Sequence, residues 1–225
     1  PARPSPTLPL RARRAGRQLR RRDVSIVHTF DYGDAYTEAL SVRSVAGARY
    51  VSTKKNMGWG SRAWFLRSLL SHRIAVQNEE MFRRFFRHRL LRDRTRYVPR
   101  GVVVDDFGRG PDRSQARAAH GIPADAVVVG CVASIQPRKN QVLLAEALPD
   151  RPEVHLLLAG PVLDEGYRDR ILDIARQRGV EDRVHLTGEL DDVRPVLAAS
   201  DVFALASRAE GSPVALIEAM ATGLP

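Results

Sequence analysis

The run Ser207-Arg-Ala-Glu210-Gly-Ser-Pro-Val-Ala-Leu-Ile-Glu218-Ala-Met-Ala-Thr-Gly-Leu-Pro225 sets two carboxylates eight positions apart across the start of an expected helix. Just before it, Asp201-Val-Phe-Ala-Leu-Ala206 reads as a short buried strand. Ser212 followed by Pro213 reads as a helix start, with the hydroxyl at the N-cap and proline at N1. Glu210 then lies in the connecting loop and Glu218 about one and a half turns into the helix. The free N–H groups of that first turn, with Gly211 letting the backbone come close, favour an anion such as a phosphate. Two acids beside an anion cradle suit a molecule that carries both phosphate and hydroxyls, and a nucleotide sugar is one.

Working outward, strand and helix alternate along the whole chain. Apolar strands are expected over 24–30, 48–52, 72–77 and 95–99, with helical stretches over 36–45, 62–70 and 79–86. A polar passage with Gly and Pro follows from 101 to 112 and reads as a linker. The second alternation runs strand 127–133, helix 140–147, strand 154–159, helix 164–178, strand 183–187, helix 191–199, strand 202–206, helix 213–221. Near-continuous apolar strands between helices imply a parallel sheet covered on both faces. The expected fold class is therefore α/β, with one domain over 1–105 and a second over 106–225.

Composition agrees with a soluble α/β protein: 225 residues, 44% of them hydrophobic, and no apolar run near the ~18 residues that span a bilayer. The single cysteine, Cys131, lies in the apolar run Ala126-Val-Val-Val-Gly-Cys-Val-Ala133, which makes it a core residue and points to a reducing, cytoplasmic compartment. Net charge is +10, and only three of the 36 basic residues are lysines. The arginines cluster, with eight before Asp23 and eight more from Phe82 to Arg100. Such clusters suit a solvated helix face, phosphorylated substrate or an anionic membrane surface. Met81-Phe-Arg-Arg-Phe-Phe86 alternates aromatic and basic residues as interfacial helices do, so peripheral association with the inner face of a membrane is expected. Nucleic acid is not, because no helix-turn-helix, zinc spacing or RNA-binding aromatic signature accompanies the arginines.

The Glu210 to Glu218 segment resembles the E-x7-E motif of the family 4 (group 1) retaining glycosyltransferases, which have the GT-B fold. So do Asp23-Val-Ser-Ile-Val-His-Thr-Phe30, Ile74-Ala-Val-Gln-Asn78, Val98-Pro-Arg-Gly-Val-Val-Val-Asp-Asp-Phe107, Pro137-Arg-Lys-Asn140 and Val184-His-Leu-Thr-Gly188, in family order. The motif alone is weak and the ordered set is strong. The resemblance implies two Rossmann-like domains with parallel sheets facing a cleft, the N-terminal acceptor domain incomplete and the C-terminal donor domain truncated. It further implies transfer of a sugar from a nucleotide-sugar donor to a glycan or lipid-linked acceptor, with retention at the anomeric carbon and no metal or other cofactor.

The same resemblance assigns roles. Lys139 would neutralise the leaving diphosphate, Glu218 would accept hydrogen bonds from ribose hydroxyls, and Glu210 would contact the donor sugar while Gly211, Ser212, Pro213 and Val214 line its pocket. Pro213 has no N–H, which reduces that donor set by one. The family arginine expected five or six positions before the lysine is matched here by Ala133 or Ser134, so Ser134 is placed in the site and Arg138 either supplies the second positive charge or is a surface residue. In the first domain, Lys54-Lys55-Asn56-Met57 stands where the family meets the donor sugar, which puts Lys55 and Asn56 in the site or in a solvated loop. His28 reads as a packed strand-end residue. Two other readings stay open: a non-catalytic basic α/β protein that binds nucleotide or nucleic acid, and a synthase of the sucrose, trehalose or glycogen type.

Overall fold

The structure is a computed structural model that describes residues 8–30, 36–55, 57, 62–108, 110–148 and 150–225. The chain divides into two compact units, Pro1–Arg100 and Gly101–Pro225.

The first unit begins with α1 (Leu8–Arg21), in the arginine-rich stretch for which a solvated helix face is one of the sequence readings. Arginine, leucine, alanine and glutamine are good helix formers, so the run is helical as well as basic. Gly16 lets α1 approach its neighbour closely, because a Cβ there would meet the Ser41 Oγ at 2.6 Å. The unit continues through β1 (Ile26–Thr29), α2 (Tyr36–Ser41) with a π-helical turn over Val42–Ala46, and β2 (Arg49–Lys54). Then follow α3 (Arg62–Leu70), β3 (Arg73–Val76), α4 (Glu79–Phe85), α5 (Arg89–Arg92) and β4 (Thr95–Tyr97). The four strands are parallel and lie in the order β1-β2-β3-β4.

One face of this sheet carries the core: Ile74 and Val76 pack with Trp64, Met81, Phe85, Phe86 and Leu91. This corrects the interfacial reading of Met81 to Phe86. Met81, Phe85 and Phe86 are core side chains, and each of the first two arginines between them pairs along α4, Arg83 with Glu79 at 2.9 Å and Arg84 with Glu80 at 3.9 Å. On the other face Ile26, Phe30 and Val98 are more than half exposed. That face lines an open cavity of about 630 Å³ with Val51, Thr53 and Gln77.

The second unit opens with a 3-10 turn (Val104–Asp106) and α6 (Arg113–Ala118), a helix just after the expected linker that the sequence pattern leaves unassigned; Asp112 caps it by accepting from the Gln115 N–H at 2.9 Å. Next come β5 (Val127–Val132), a 3-10 turn (Pro137–Lys139), α7 (Gln141–Glu146), β6 (Val154–Ala159) and α8 (Glu165–Gln177). The unit ends with β7 (Val184–Gly188), α9 (Arg194–Ala199), β8 (Val202–Phe203) and α10 (Val214–Ala221). The strands are parallel in the order β7-β6-β5-β8. Leu156 and Leu158 of β6 face one core with Ile171 and Ala175, while Leu157 and Ala159 face another with Val128, Val196 and Ala199. Both faces of the strand are buried, so it reads as an unbroken apolar run, and each leucine contributes about 1.5–3 kcal/mol. Cys131 is buried in the first of these cores, and burial pushes its thiol pKa up to about 12, so it is an inert core residue.

The order β7-β6-β5-β8 places a switch point beside β5: the chain steps from β5 through β6 to β7 on one side and returns to lay β8 on the other. In open parallel sheets the crevice that takes ligands lies at the carboxyl ends of the strands flanking such a point. Here those ends lead into the turn that bears Lys139 and the loop that bears Glu210.

Candidate functional site

The helix start differs from the expected one by a residue. Pro213, with φ −72° and ψ 110°, is the N-cap, no side chain caps the helix, and α10 begins at Val214. Proline keeps the residue before it out of the helical region, which leaves Ser212 in the loop rather than at the cap. With no capping side chain and no acid in its first turn, α10 presents its first N–H groups and the positive end of its dipole without an internal anion.

Around that terminus the structure brings two loops of the second unit together. The Lys139 Nζ donates to Glu210 Oε1 at 2.6 Å, with side chains 15% and 21% exposed. The backbone N–H of Arg208 donates to the Arg138 carbonyl at 3.1 Å, and the Arg138 guanidinium reaches the Ala209 carbonyl at 3.4 Å. The two segments singled out from the sequence are thus latched side by side, the Lys139–Glu210 contact spanning 71 positions. Partial burial works to raise the Glu210 pKa, but the hydrogen bond from Lys139 and the charges of Lys139 and Arg138 outweigh it and hold the carboxyl below its usual range. Glu218, on α10, has the opposite bias: burial raises its pKa. Among the described residues it makes no ion pair, and Arg194 instead pairs with Asp192 at 2.8 Å.

Ser134 lies at the hub of the turn after β5. Its Oγ accepts from the Gln136 amide at 2.6 Å and its carbonyl accepts from the Gln141 amide at 2.9 Å. With Gly160, Pro161, Glu189 and Leu190 it lines a cavity of about 150 Å³ at the carboxyl ends of β5, β6 and β7. Gly160 is required there: at φ 140° a Cβ would lie 2.4 Å from the Ala133 carbonyl oxygen. Its N–H donates to the Gly188 carbonyl at 2.8 Å, closing the floor of the three loops. A cavity of this order holds a single ring.

Lys55 belongs to the first unit, where its ammonium stands 5.5 Å from the Phe30 ring centroid. Asn56 falls outside the described residues. His28 is not packed as the sequence suggests. It is exposed on the helix-free face of the sheet, with Nε2 2.8 Å from the Thr53 Oγ1. Among the described residues no group of three His, Cys, Asp or Glu is placed to hold a metal. Sequence reasoning also missed Gln141, whose side chain reaches back seven residues to Ser134. The only advance signal is a glutamine where an amphipathic helix presents its buried face.

The fold matches known glycosyltransferases. The glycosyltransferase of Rickettsia africae aligns over 100% of this chain and 62% of its own, with a TM-score of 0.87 at 16% identity. Anabaena Alr3699/HepE, solved in complex with UDP, aligns over 98% of this chain and 62% of its own, with a TM-score of 0.80 at 20% identity. These place the chain in the GT-B fold. In sequence, EpsF of Bacillus subtilis (strain 168) is 29% identical over 195 residues, 80% of this chain and 49% of EpsF. The lipopolysaccharide core biosynthesis glycosyltransferase LpsE of Rhizobium meliloti (strain 1021) is 38% identical over 124 residues, 55% of this chain and 36% of LpsE. The chain spans about half, or less, of the length of these curated relatives. The model of the family described as "Glycosyl transferases group 1" matches residues 112–225, which are the whole of the latched site and the sheet that carries it. The chain belongs to the group 1 glycosyl transferases.

Proposed function

We propose that the second unit is the nucleotide-sugar donor site of a glycosyltransferase that transfers a sugar to a glycan or lipid-linked acceptor with retention of configuration. The observation that carries this is the Lys139–Glu210 pair, set at the sheet's switch point beside the uncapped start of α10. In this reading Lys139 and the first-turn N–H groups hold the diphosphate, with Arg138 alongside. Ser134 and the cavity it lines receive part of the nucleotide. Glu218 accepts from ribose hydroxyls, and Glu210, with Gly211 to Val214, meets the donor sugar.

As the glycosidic bond breaks, negative charge grows on the diphosphate and positive charge on the sugar ring. Fixed donors at the phosphate and a carboxylate near the ring stabilise that distribution more than the ground state. A lysine and a helix terminus supply the compensation that a divalent cation gives elsewhere, so the reaction is read as metal-independent. The acceptor and any contact with an anionic membrane are assigned to the first unit, where α1 exposes Arg13, Arg14, Arg17, Arg20 and Arg21 and its 14 residues contain no acid. No helix of the described residues is long and apolar enough to cross a membrane. A cytoplasmic protein working at the inner face of a membrane accommodates these features.

Titration calorimetry with UDP, GDP and ADP, with and without magnesium, tests the reading. Binding of at least one of them, unaffected by chelator and weakened in Lys139→Ala, is the expected result. Affinity for a random oligonucleotide that exceeds all three and collapses with salt would favour a nucleic-acid module instead.

A further inference from the structure

Two costly features flank the Lys139 turn. Asn140 sits in the left-handed region at φ 57° and ψ 35°, one of two non-glycine residues with positive φ among the described residues. Asparagine tolerates this better than other side chains, yet the conformation is still unfavourable. Gln141 is completely buried, and while its Nε2 donates to the Ser134 carbonyl at 2.9 Å, its Oε1 has no hydrogen-bond partner. A methionine or leucine would fill similar volume without a buried unpaired oxygen. Strain and unsatisfied polar groups that persist side by side mark places where geometry serves function.

The geometry shows what that function is. The start of α7 is fixed from the core, because the Val142 N–H donates to the Tyr167 hydroxyl at 3.1 Å and Tyr167 is buried on α8. Gln141 carries this fixed position across to Ser134 and closes the loop 134–141 with one side-chain hydrogen bond. Inside the loop the Lys139 N–H donates to the Gln136 carbonyl at 2.9 Å, and Asn140 then reverses the chain into α7. We propose that Gln141 is a positioning residue for Lys139: by tying the start of α7 to the Ser134 carbonyl it holds the turn that delivers the ammonium to Glu210 and, in the donor-bound enzyme, to the diphosphate. The last clause rests on the donor-site reading, whereas the link from Gln141 to the Lys139–Glu210 pair does not.

The sequence holds three lysines, Lys54, Lys55 and Lys139, so reductive ¹³C-methylation gives an NMR spectrum in which the Lys139 signal is identified by its loss in Lys139→Ala. In Gln141→Met the Lys139 signal is expected to move at least half of the way to its position in Glu210→Gln, with the Lys55 signal in place. UDP affinity should fall about 5- to 10-fold in Gln141→Met but less than about 2-fold when Lys139 is already alanine, the coupling of two residues that act together. An unmoved Lys139 signal, or an equal loss of affinity in both backgrounds, would overturn the proposal. If none of UDP, GDP and ADP binds any of the proteins, the donor-site reading fails and the Lys139 signal alone decides the role of Gln141. Should Gln141→Met not fold, Gln141→Asn keeps the amide but falls one methylene short of Ser134, and a Lys139 signal at its original position in that variant would equally refute the idea.

Discussion

Replacing Glu210 by glutamine should strengthen the binding of a free nucleoside diphosphate, although we place Glu210 in the donor site. Its carboxylate holds the Lys139 ammonium at 2.6 Å; in the donor-site reading the diphosphate takes that place, and Glu210 adds a negative charge next to the incoming anion. At that separation the Coulomb attraction is about 1.6 kcal/mol in water and about 6 at an effective dielectric of 20, before desolvation is subtracted. Pairs in full solvent net about 0–1 kcal/mol, and breaking a buried pair costs about 3–5. With side chains 15% and 21% exposed this pair lies between those limits. Because the diphosphate re-pairs Lys139, only part of that cost appears in binding, about 1–2 kcal/mol, or about 5- to 30-fold in Kd. Calorimetry with UDP, GDP or ADP, whichever binds, reads this directly. The gain should shrink several-fold in the Lys139→Ala background. The same variant should slow sugar transfer by about 100-fold in an active two-domain enzyme, the scale of one lost transition-state contact. Unchanged or weakened diphosphate binding in Glu210→Gln would refute the competition argument.

Three further outcomes follow. Lys139→Ala should weaken diphosphate binding by about 1.5–3 kcal/mol, the value of a hydrogen bond to a charged group, with little change in Tm; unchanged affinity with a lowered Tm would make the lysine structural. Glu218→Gln should weaken free diphosphate and donor together while leaving Tm the same or higher, because burial already raises the Glu218 pKa and its ionised form costs stability above that value; a clear fall in Tm would contradict this. His155 and His185, whose Nδ1 and Nε2 stand 3.0 Å apart, are both held neutral with lowered pKa values, chiefly by burial and then by Arg183 and Arg117 around His155 and by His155 and His120 around His185. Their contribution is therefore complete above 6.5, the ordinary value, and is lost as pH falls from there towards the folded-state values, so the urea midpoint should drop below pH 6.5 and drop less in His185→Gln.

The sheet of the second unit was legible because its strands are buried on both faces. Val127–Val132 and Val154–Ala159 present runs of apolar residues with no alternation to misread, and the crossovers between them are long enough only for helices. Where reading went astray, a short helix went unassigned or an aromatic run concealed a core. Arg113–Ala118 is a helix in the segment between the linker and the next strand, where no pattern assigns one, and Leu8–Arg21 is a helix in a basic stretch whose charge suits an anionic partner as well as a solvated helix face. The aromatics of 81–86 look interfacial in sequence, and only the sheet face beneath them shows that Met81, Phe85 and Phe86 are core. The individual groups at the site were readable, since Lys139 and Glu210 stand at loop positions flanking expected strands. Their direct pairing was not, because it depends on how far the Pro137–Lys139 turn leans over the loop after β8.

The two glutamates are set apart electrostatically by their neighbours, and this bears on the order of events in the site. Glu210 is held ionised by Lys139 and stays so to lower pH than an ordinary glutamate, whereas Glu218, without a cation, is pushed the other way by burial. A carboxylate that lacks a cation gains most from neutral donors, and ribose hydroxyls are such donors. In the donor-site reading Glu218 therefore engages a nucleoside without breaking an ion pair, since among the described residues it makes none. In the proposed donor site Glu210 would meet a sugar at full strength only once Lys139 turns from it to the diphosphate. The arrival of the diphosphate there would thus free the carboxylate next to the reacting ring, and recognition of the leaving group would be coupled to assembly of the site that stabilises its departure.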